Sequence, residues 1–166
     1  MPENLRAVSI GEMIATDNLD DVLVAYGLGS CVAVCIYDPI KKVGGMIHSL
    51  LPTANGQNGI EATNPAKYVD QGVPRLLDSV LALGAQPNRL VVRIAGGAQM
   101  LAAPGLSDSL NIGQRNALAA EAALRTLGLR VRNQDTGGKA GRTVKLYVTD
   151  GQVTVKKMGQ GEQPLS

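Results

Sequence analysis

The sequence has few of the residues that most binding and metal chemistry requires. Its aromatic residues are four tyrosines, with no phenylalanine and no tryptophan, and it has a single histidine, His48. Proteins that bind single-stranded nucleic acid stack the bases on aromatic side chains, so that class is poorly supported. Two cysteines and one histidine are also too few for a zinc site of ordinary composition. We therefore expect neither a metal nor a nucleic-acid partner.

An excess of one charge and long apolar runs are also missing. Sixteen Lys and Arg residues against fourteen Asp and Glu residues leave a net charge of +2, which is a weak footprint for a nucleic-acid binder. No apolar run approaches the roughly 18 residues that span a bilayer, and the first residues lack the pattern of a secretory signal. We therefore expect a cytoplasmic protein without direct membrane insertion.

Turn-forming residues, by contrast, are abundant. Twenty glycines and eight prolines predict many turns between short elements. β-Branched stretches predict strands at residues 22–26, 31–37, 43–51, 90–94, 129–132, 143–149 and 152–157, and helical spacing predicts helices at residues 64–83 and 112–127. We expect one α+β domain over residues 1–157, with mixed, mostly antiparallel β-sheets layered with helices. Residues 134–142 are predicted to be a flexible connection, and residues 158–166 a disordered tail.

The two cysteines lie in one predicted strand and cannot form a disulfide. Four steps of about 3.3 Å separate Cys31 from Cys35 by roughly 13 Å. A disulfide needs Cα atoms under about 7 Å apart, and the same separation prevents the two sulfurs from binding one metal ion. Cys35 has apolar neighbours on both sides and is interpreted as a buried structural residue. Any cysteine chemistry is therefore expected at Cys31.

A hairpin between two neighbouring predicted strands brings Cys31 close to His48. If the turn closes with Asp38 opposite Lys41, Cys31 pairs directly with His48 on one sheet face, with Cβ atoms about 4.5–5.5 Å apart. A slip of one residue would turn His48 to the other face. The alternative is that Cys31 is a small buried hydrophobe and His48 a strand residue with satisfied polar atoms.

Such a pair is suited to amide or ester hydrolysis. The thiolate is the nucleophilic form of cysteine, and a neighbouring imidazole can take the thiol proton and return it to a leaving amine. The bend at residues 27–30 brings the backbone N–H groups of Ser30 and Cys31 to the sulfur, where they can stabilise an oxyanion. We therefore expect Cys31 to be the nucleophile, with a lowered pKa, and His48 to be the base.

Two motifs in this region resemble those of a known family. Residues 27–32 read Gly-Leu-Gly-Ser-Cys-Val and residues 44–48 read Gly-Gly-Met-Ile-His. This combination closely resembles the chemoreceptor glutamine deamidase family, CheD. Later blocks resemble the family in the same order, at residues 64–68, 96–98, 111–116 and 135–142. The resemblance covers nearly the whole chain.

The resemblance implies an enzyme that hydrolyses glutamine side-chain amides to glutamate on methyl-accepting chemotaxis receptors and releases ammonia. Hydrolysis of glutamyl methyl esters is a further implied activity. No cofactor is implied, and the chemotaxis phosphatase CheC is implied as a partner. The implied fold is similar to the catalytic domain of cytotoxic necrotizing factor toxins. The alternative is a weakly active or inactive deamidase-fold module that docks to CheC and regulates it.

One residue departs from the family pattern. The family usually has a threonine six residues before the cysteine as the third catalytic member, and this chain has Ala25 there. In the related toxins a backbone carbonyl holds the histidine. The resemblance therefore implies that the Ala25 backbone carbonyl, or a nearby group in its place, fixes the tautomer of His48.

The glycine-rich segments near the predicted strand ends are candidates for substrate approach. The candidate substrate-binding residues are Gly96, Gly97, Thr136 and Gly137. Glycine lets a backbone come close to a ligand, although such segments are about as often plain turns. Arg142, which follows the second of these segments, is expected on a solvated face, with contact to an acidic receptor or phosphatase surface as the alternative.

Overall fold

The computed structural model describes residues 3–54, 64–99 and 111–165. Its strands and helices are β1 (Asn4–Ala7), β2 (Glu12–Thr16), β3 (Asp21–Leu28), β4 (Val32–Asp38), β5 (Val43–Ser49), α1 (Val69–Ala82), β6 (Val91–Gly96), α2 (Ile112–Thr126), β7 (Val131–Thr136), β8 (Arg142–Tyr147), β9 (Val153–Lys157) and β10 (Gln163–Pro164). Short 3₁₀ helices at Pro65–Lys67 and Pro87–Arg89 precede α1 and β6.

The strands of the described residues form two five-stranded sheets. Sheet A has the order β1-β3-β8-β9-β10, and sheet B has the order β2-β5-β4-β6-β7. The pairs β1/β3 and β6/β7 are parallel, whereas the other strand pairs of these sheets are antiparallel. With two α-helices beside them, the mixed and mostly antiparallel sheets confirm the predicted α+β fold class.

The molecule has three layers, with sheet B in the middle. One buried cluster lies between the two sheets, and a second lies between sheet B and the helices. Successive side chains of a strand point to opposite faces, so β4 sends Cys35 to the first cluster and Val34 to the second. Leu76 of α1 and Leu124 of α2 cover the second face. Burial on both faces explains why β4 is a nearly continuous apolar run.

Most predicted elements are present, but β1 and β2 were missed. Both are short, and β1 is largely exposed, so neither carries the apolar alternation by which a strand is predicted. The 3₁₀ helix and α1 together fill the predicted helix at residues 64–83, and α2 ends one residue before its predicted end. The flexible connection predicted from residue 134 is wrong for its first residues, since β7 continues to Thr136.

The C-terminal segment is ordered by pairing with the edge of sheet A. Strand β10 pairs antiparallel with β9, and the Leu165 N–H donates to the Val153 carbonyl over 2.7 Å. Glu162 accepts a hydrogen bond of 2.6 Å from the hydroxyl of Tyr147. The prediction of a disordered tail is therefore wrong for these residues. Backbone groups on the open edge of β9 supply the partners that the sequence pattern did not reveal.

Candidate active site

The β4–β5 hairpin brings Cys31 and His48 to one face of sheet B, in a register different from the one predicted. His48 lies opposite Ala33 rather than opposite Cys31, which directly precedes β4. The difference is two residues, and because side chains alternate with a period of two, it leaves both on the same face. Cys31 and His48 are therefore diagonal neighbours instead of a direct pair.

The turn that closes the hairpin explains the shift. Asp38 pairs with Val43, so four residues form the loop where the sequence suggested two. The Asp38 carboxylate accepts the backbone N–H groups of Ile40 and Lys41 over 2.9 and 3.0 Å. Lys42 then adopts a left-handed conformation with φ of 58°, which is uncommon for a residue other than glycine and leaves no signal in the sequence.

The face shared by Cys31 and His48 is the one between the two sheets. Cys31 belongs to the cluster between the sheets, together with Met46 and Val8. Met46 and His48 are two residues apart in β5, so both side chains point into that layer. Cys31 is 6% exposed and His48 is 3% exposed. The thiol and the imidazole are thus held in a largely dehydrated layer.

A backbone carbonyl determines the tautomer of His48. The Nδ1 atom lies 2.9 Å from the carbonyl oxygen of Val8, and because a carbonyl accepts but cannot donate, Nδ1 carries the proton. The Nε2 atom is buried and has no hydrogen-bond partner among the described residues. In the neutral ring Nε2 is therefore a free base. The N–H of Gly11 also holds the backbone carbonyl of His48, over 2.8 Å.

The orienting carbonyl belongs to Val8 and not to Ala25, so the structure corrects the prediction for Ala25. The Val24 carbonyl accepts the Val8 N–H over 2.7 Å. Successive carbonyls of a strand point to opposite sides, so the Ala25 carbonyl points away from β1, toward β8. The Ala25 side chain is fully buried in the cluster between the sheets.

Burial favours the neutral forms of both groups. It lowers the pKa of His48, against the opposing effects of the Val8 hydrogen bond and the Glu12 charge. It also raises the pKa of the Cys31 thiol, and the backbone N–H of Cys31 itself opposes that rise. The expected lowering of the Cys31 pKa is thus not found. Cys35 is still less acidic, since burial raises its pKa to about 12.

Glu12 is a neighbour of His48 that the sequence analysis missed. It lies on β2 directly opposite His48, and its side chain is exposed. The Glu12 carboxylate accepts the Ser9 N–H over 2.8 Å and raises the pKa of His48 through its charge. Because β2 itself was not predicted, no pattern in the sequence pointed to this residue.

The end of β6 packs closely against the backbone of Cys31. The N–H of Gly97 donates to the Cys31 carbonyl over 2.8 Å, and the N–H of Ala98 donates to the Gly29 carbonyl over 2.9 Å. Gly96 and Gly97 both have positive φ, of 111° and 65°. A Cβ atom at Gly96 would collide with the Cys31 carbonyl oxygen. These two glycines therefore support the backbone of the candidate nucleophile.

Thr136 and Gly137 are tied to the same strand end. Thr136 pairs with Gly96, and the Gly137 N–H donates to the Gly96 carbonyl over 3.2 Å. Arg142 donates to the carbonyls of Gly96, Asp135 and Gly137. The solvated position expected for Arg142 is wrong, since the residue is 3% exposed. Its guanidinium instead holds the candidate substrate segment together.

Two further polar side chains, those of Ser49 and Asn116, form hydrogen bonds next to Cys31 and His48. Ser49 follows His48 and donates its hydroxyl to the Ala66 carbonyl over 2.8 Å. Asn116 of α2 donates to the carbonyls of Ser30 and Leu50. No role was predicted for Asn116, and an asparagine inside a predicted helix was the signal available for it.

Over residues 3–54, 64–99 and 111–165, no group of three or more His, Cys, Asp or Glu residues is arranged to hold a metal ion. Within the same ranges, none of the helices combines the length and apolar character needed to cross a membrane.

Known proteins resemble this chain over most of its length. The family described as CheD chemotactic sensory transduction matches residues 50–157. A probable chemoreceptor glutamine deamidase CheD from Symbiobacterium thermophilum is 43% identical over 161 residues, 97% of each chain. The chemoreceptor glutamine deamidase CheD of Thermotoga maritima is 40% identical over 158 residues, 95% of each chain. The crystal structure of the hypothetical protein YfiH from Bacillus licheniformis has a TM-score of 0.45 and 12% identity, covering 81% of this chain and 60% of that one, which is too distant to inform fold or function.

Proposed function

Since the chain belongs to the CheD family of chemoreceptor glutamine deamidases, we propose that it hydrolyses receptor glutamine side chains with Cys31 as nucleophile and His48 as base. The main support for this assignment is the environment of the His48 imidazole. Its Nδ1 is held by the Val8 carbonyl, its Nε2 is free among the described residues, and it shares a buried layer with Cys31.

The reaction starts from a neutral thiol and a neutral imidazole. Because burial raises the pKa of Cys31 and lowers that of His48, neither group is charged at neutral pH. Nε2 of His48 takes the thiol proton as the sulfur attacks the carboxamide carbon of the substrate. The Val8 carbonyl stabilises the imidazolium that forms, through its hydrogen bond to Nδ1.

The second half of the reaction returns the proton and consumes water. The imidazolium gives its proton to the amide nitrogen, the C–N bond breaks, and ammonia leaves a glutamyl thioester on Cys31. His48 then takes a proton from water, the hydroxide attacks the thioester carbon, and the thiol is restored with the returned proton. One amide and one water thus give one carboxylic acid and one ammonia. No cofactor is needed for this sequence.

Backbone N–H groups next to the sulfur stabilise the tetrahedral oxyanion. The N–H of Cys31 lies close to its own sulfur, as its effect on the thiol pKa indicates. The N–H of Ser30 is the second donor of this proposal. A pre-aimed donor in a dehydrated layer stabilises developing charge more than it would in water, because it needs no reorganisation.

The partners follow from the same family assignment. The substrates are cytoplasmic helices of methyl-accepting chemotaxis receptors, and this substrate location makes the protein cytoplasmic. The candidate substrate segment of Gly96, Gly97, Thr136 and Gly137 borders the backbone of Cys31, which supports receptor approach from that side. The chemotaxis phosphatase CheC is a proposed docking partner. Glutamyl methyl esters are a second proposed substrate, since the same thioester forms from an ester.

The decisive experiment follows glutamine conversion on a receptor. The protein is incubated with its chemoreceptor, and conversion to glutamate is mapped by mass spectrometry. Cys31→Ala and His48→Ala are expected to abolish conversion, because one lacks the nucleophile and the other the base. Cys35→Ala is the matched control, since Cys35 lies in the same buried cluster but pairs with Met46 of β5 and has no part in the proposed reaction. Conversion by Cys31→Ala at the parent rate would contradict the proposal.

Alkylation by iodoacetamide at neutral pH tests the thiol directly. Cys31 is expected to react first, and His48→Ala is expected to slow that reaction because the thiol loses its base. Cys35 should remain unmodified in the folded protein, given its burial and its pKa of about 12. Equal labelling of the two cysteines would count against Cys31 as the nucleophile.

Position 25 holds alanine instead of the family's usual threonine. This difference favours one alternative function, in which the protein acts mainly by docking to CheC. The Val8 carbonyl already orients His48, which weakens the case for an inactive protein. If the parent protein binds CheC but leaves every receptor glutamine unchanged, the docking function replaces the enzymatic one.

A further inference from the structure

Asn116 is a buried side chain on α2 whose side-chain hydrogen bonds, among the described residues, go to the two segments that flank the candidate site. It is 0% exposed. Its Nδ2 donates to the Ser30 carbonyl over 2.8 Å and to the Leu50 carbonyl over 2.9 Å. Its Oδ1 has no hydrogen-bond partner in the described residues. A side chain that would otherwise be an unfavourable polar group in the core is thus used to hold two carbonyls.

The two carbonyls belong to the segments that carry the proposed nucleophile and base. Ser30 directly precedes Cys31, and Leu50 follows His48 by two residues. The remainder of the buried face of α2 packs on the opposite side of sheet B, through Ala120 and Leu124. The hydrogen bonds of Asn116 therefore join the beginning of β4 to the end of β5 from outside the layer in which the reaction is proposed.

Because the peptide bond is planar, the hydrogen bond to the Ser30 carbonyl also affects the proposed oxyanion donor, the Cys31 N–H. The Ser30 carbonyl and the Cys31 N–H belong to one peptide unit, and in a trans peptide they point in opposite directions. A hydrogen bond that holds the carbonyl therefore also aims the N–H. It polarises the unit as well, which strengthens the N–H as a donor.

The neighbouring peptide units are held in the same way. The Gly29 carbonyl accepts the Ala98 N–H, and the Cys31 carbonyl accepts the Gly97 N–H. Three consecutive carbonyls around the nucleophile thus have fixed partners. The middle one depends on a side chain, so it is the one that a substitution can release.

We propose that Asn116 is a positioning residue for deamidation. It aims the Cys31 N–H at the oxyanion and holds the beginning of β4 beside the end of β5. The assignment rests on the proposed function, because it requires Cys31 to be the nucleophile. Asparagine suits this role because it has two N–H donors for two carbonyls. Aspartate has the same shape but no donor when ionised.

The test compares two reactions of the same thiol. Deamidation develops an oxyanion, whereas alkylation of Cys31 by iodoacetamide does not. Asn116→Ala and Asn116→Asp are expected to lower kcat for receptor deamidation by about tenfold to a hundredfold, with KM changed less than about threefold, because loss of a full oxyanion donor costs about 10²–10³. The rate of Cys31 alkylation should fall by less than about threefold, since the thiol and its base remain.

Leu124→Ala is the matched control, because Leu124 lies on the same helix and is fully buried away from Ser30 and Leu50. It is expected to lower thermal stability and to leave kcat within about twofold of the parent when both are folded. Should Asn116→Ala fail to fold, Asn116→Ser provides the same loss of two amide donors in a smaller change. If the serine variant also fails to fold, Asn116 serves folding and the proposal is overturned.

The outcomes separate this inference from the function on which it rests. If the parent is active and Cys31→Ala is inactive, but the Asn116 variants keep kcat within about twofold, the positioning role is wrong and the deamidase assignment stands. An equal fall in deamidation and alkylation, or an equal fall in Leu124→Ala, also overturns it, because either result describes general loosening. If Cys31→Ala retains deamidation, the proposed function fails first and takes this inference with it.

Discussion

His48 combines a fixed tautomer with a pKa set by two opposing environments. Burial favours the neutral ring, whereas the Val8 carbonyl and the Glu12 carboxylate favour the imidazolium. The first effect is the larger, so the ring is neutral and able to act as a base at neutral pH. Glu12, on a strand that the sequence pattern does not predict, thus raises the basicity of His48.

Glu12→Gln is expected to shift the acid limb of the pH profile of kcat/KM to lower pH. Removing the negative charge destabilises the imidazolium, so the pKa of His48 falls further and the neutral base persists at lower pH. The glutamine oxygen can still accept the Ser9 N–H. Asp78→Asn on the exposed face of α1 is the control and should leave the profile unchanged. A shift of the acid limb to higher pH in Glu12→Gln would contradict this account.

Ala25→Thr tests whether a hydroxyl at the family's usual threonine position still matters. Since the Val8 carbonyl already holds Nδ1, we expect kcat/KM to change by less than about threefold. Ala25 is fully buried, so the added atoms should cost about 1–2 kcal/mol of stability. Receptor deamidation and thermal unfolding are measured on the same preparations. A tenfold gain in rate would show that orientation of the imidazole limits the parent.

The end of β6, where Gly96 lies, packs against the backbone of Cys31. Gly96→Ala should lower stability by more than about 2 kcal/mol and lower kcat, because strain at φ of 111° is joined by a collision with the Cys31 carbonyl. Gly128→Ala is the matched control. Gly128 follows α2 with φ of 75° and open space around a Cβ, so it should cost about 1–2 kcal/mol and leave kcat unchanged. Equal effects on kcat would contradict a supporting role for Gly96.

The elements also show which parts of the site were predictable. Strands β4 and β5 are apolar runs, so the sequence predicted both and placed Cys31 and His48 on one face. Their register depended on a left-handed lysine, Lys42, whose conformation leaves no signal in residue type. The orienting carbonyl of Val8 was beyond prediction for a similar reason. Any residue has a carbonyl, and this one is brought to His48 by the connection between two strands that lack the usual apolar alternation.

The two sheets of the molecule have different roles in the proposed mechanism. Sheet B carries the proposed nucleophile and base, with helices on one face and sheet A on the other. Sheet A supplies, through β3, the carbonyl that anchors the Val8 N–H. The opposite edge of sheet A ends in β10, three strands away from β3 in the sheet order. Pairing at that edge should therefore affect stability far more than chemistry.

Truncation after Lys157 tests this division. The change removes β10 and the hydrogen bond from Tyr147 to Glu162, and it leaves the backbone of β9 without its outer partner. We expect the free energy of unfolding to fall by about 1–2 kcal/mol, as for a few partly exposed hydrogen bonds, with kcat/KM within about twofold of the parent. An open edge strand is a template for pairing with a second chain. The truncated protein should thus self-associate at high concentration in sedimentation velocity, whereas a large loss of kcat/KM in the monomer would mean that the far edge of sheet A supports the site.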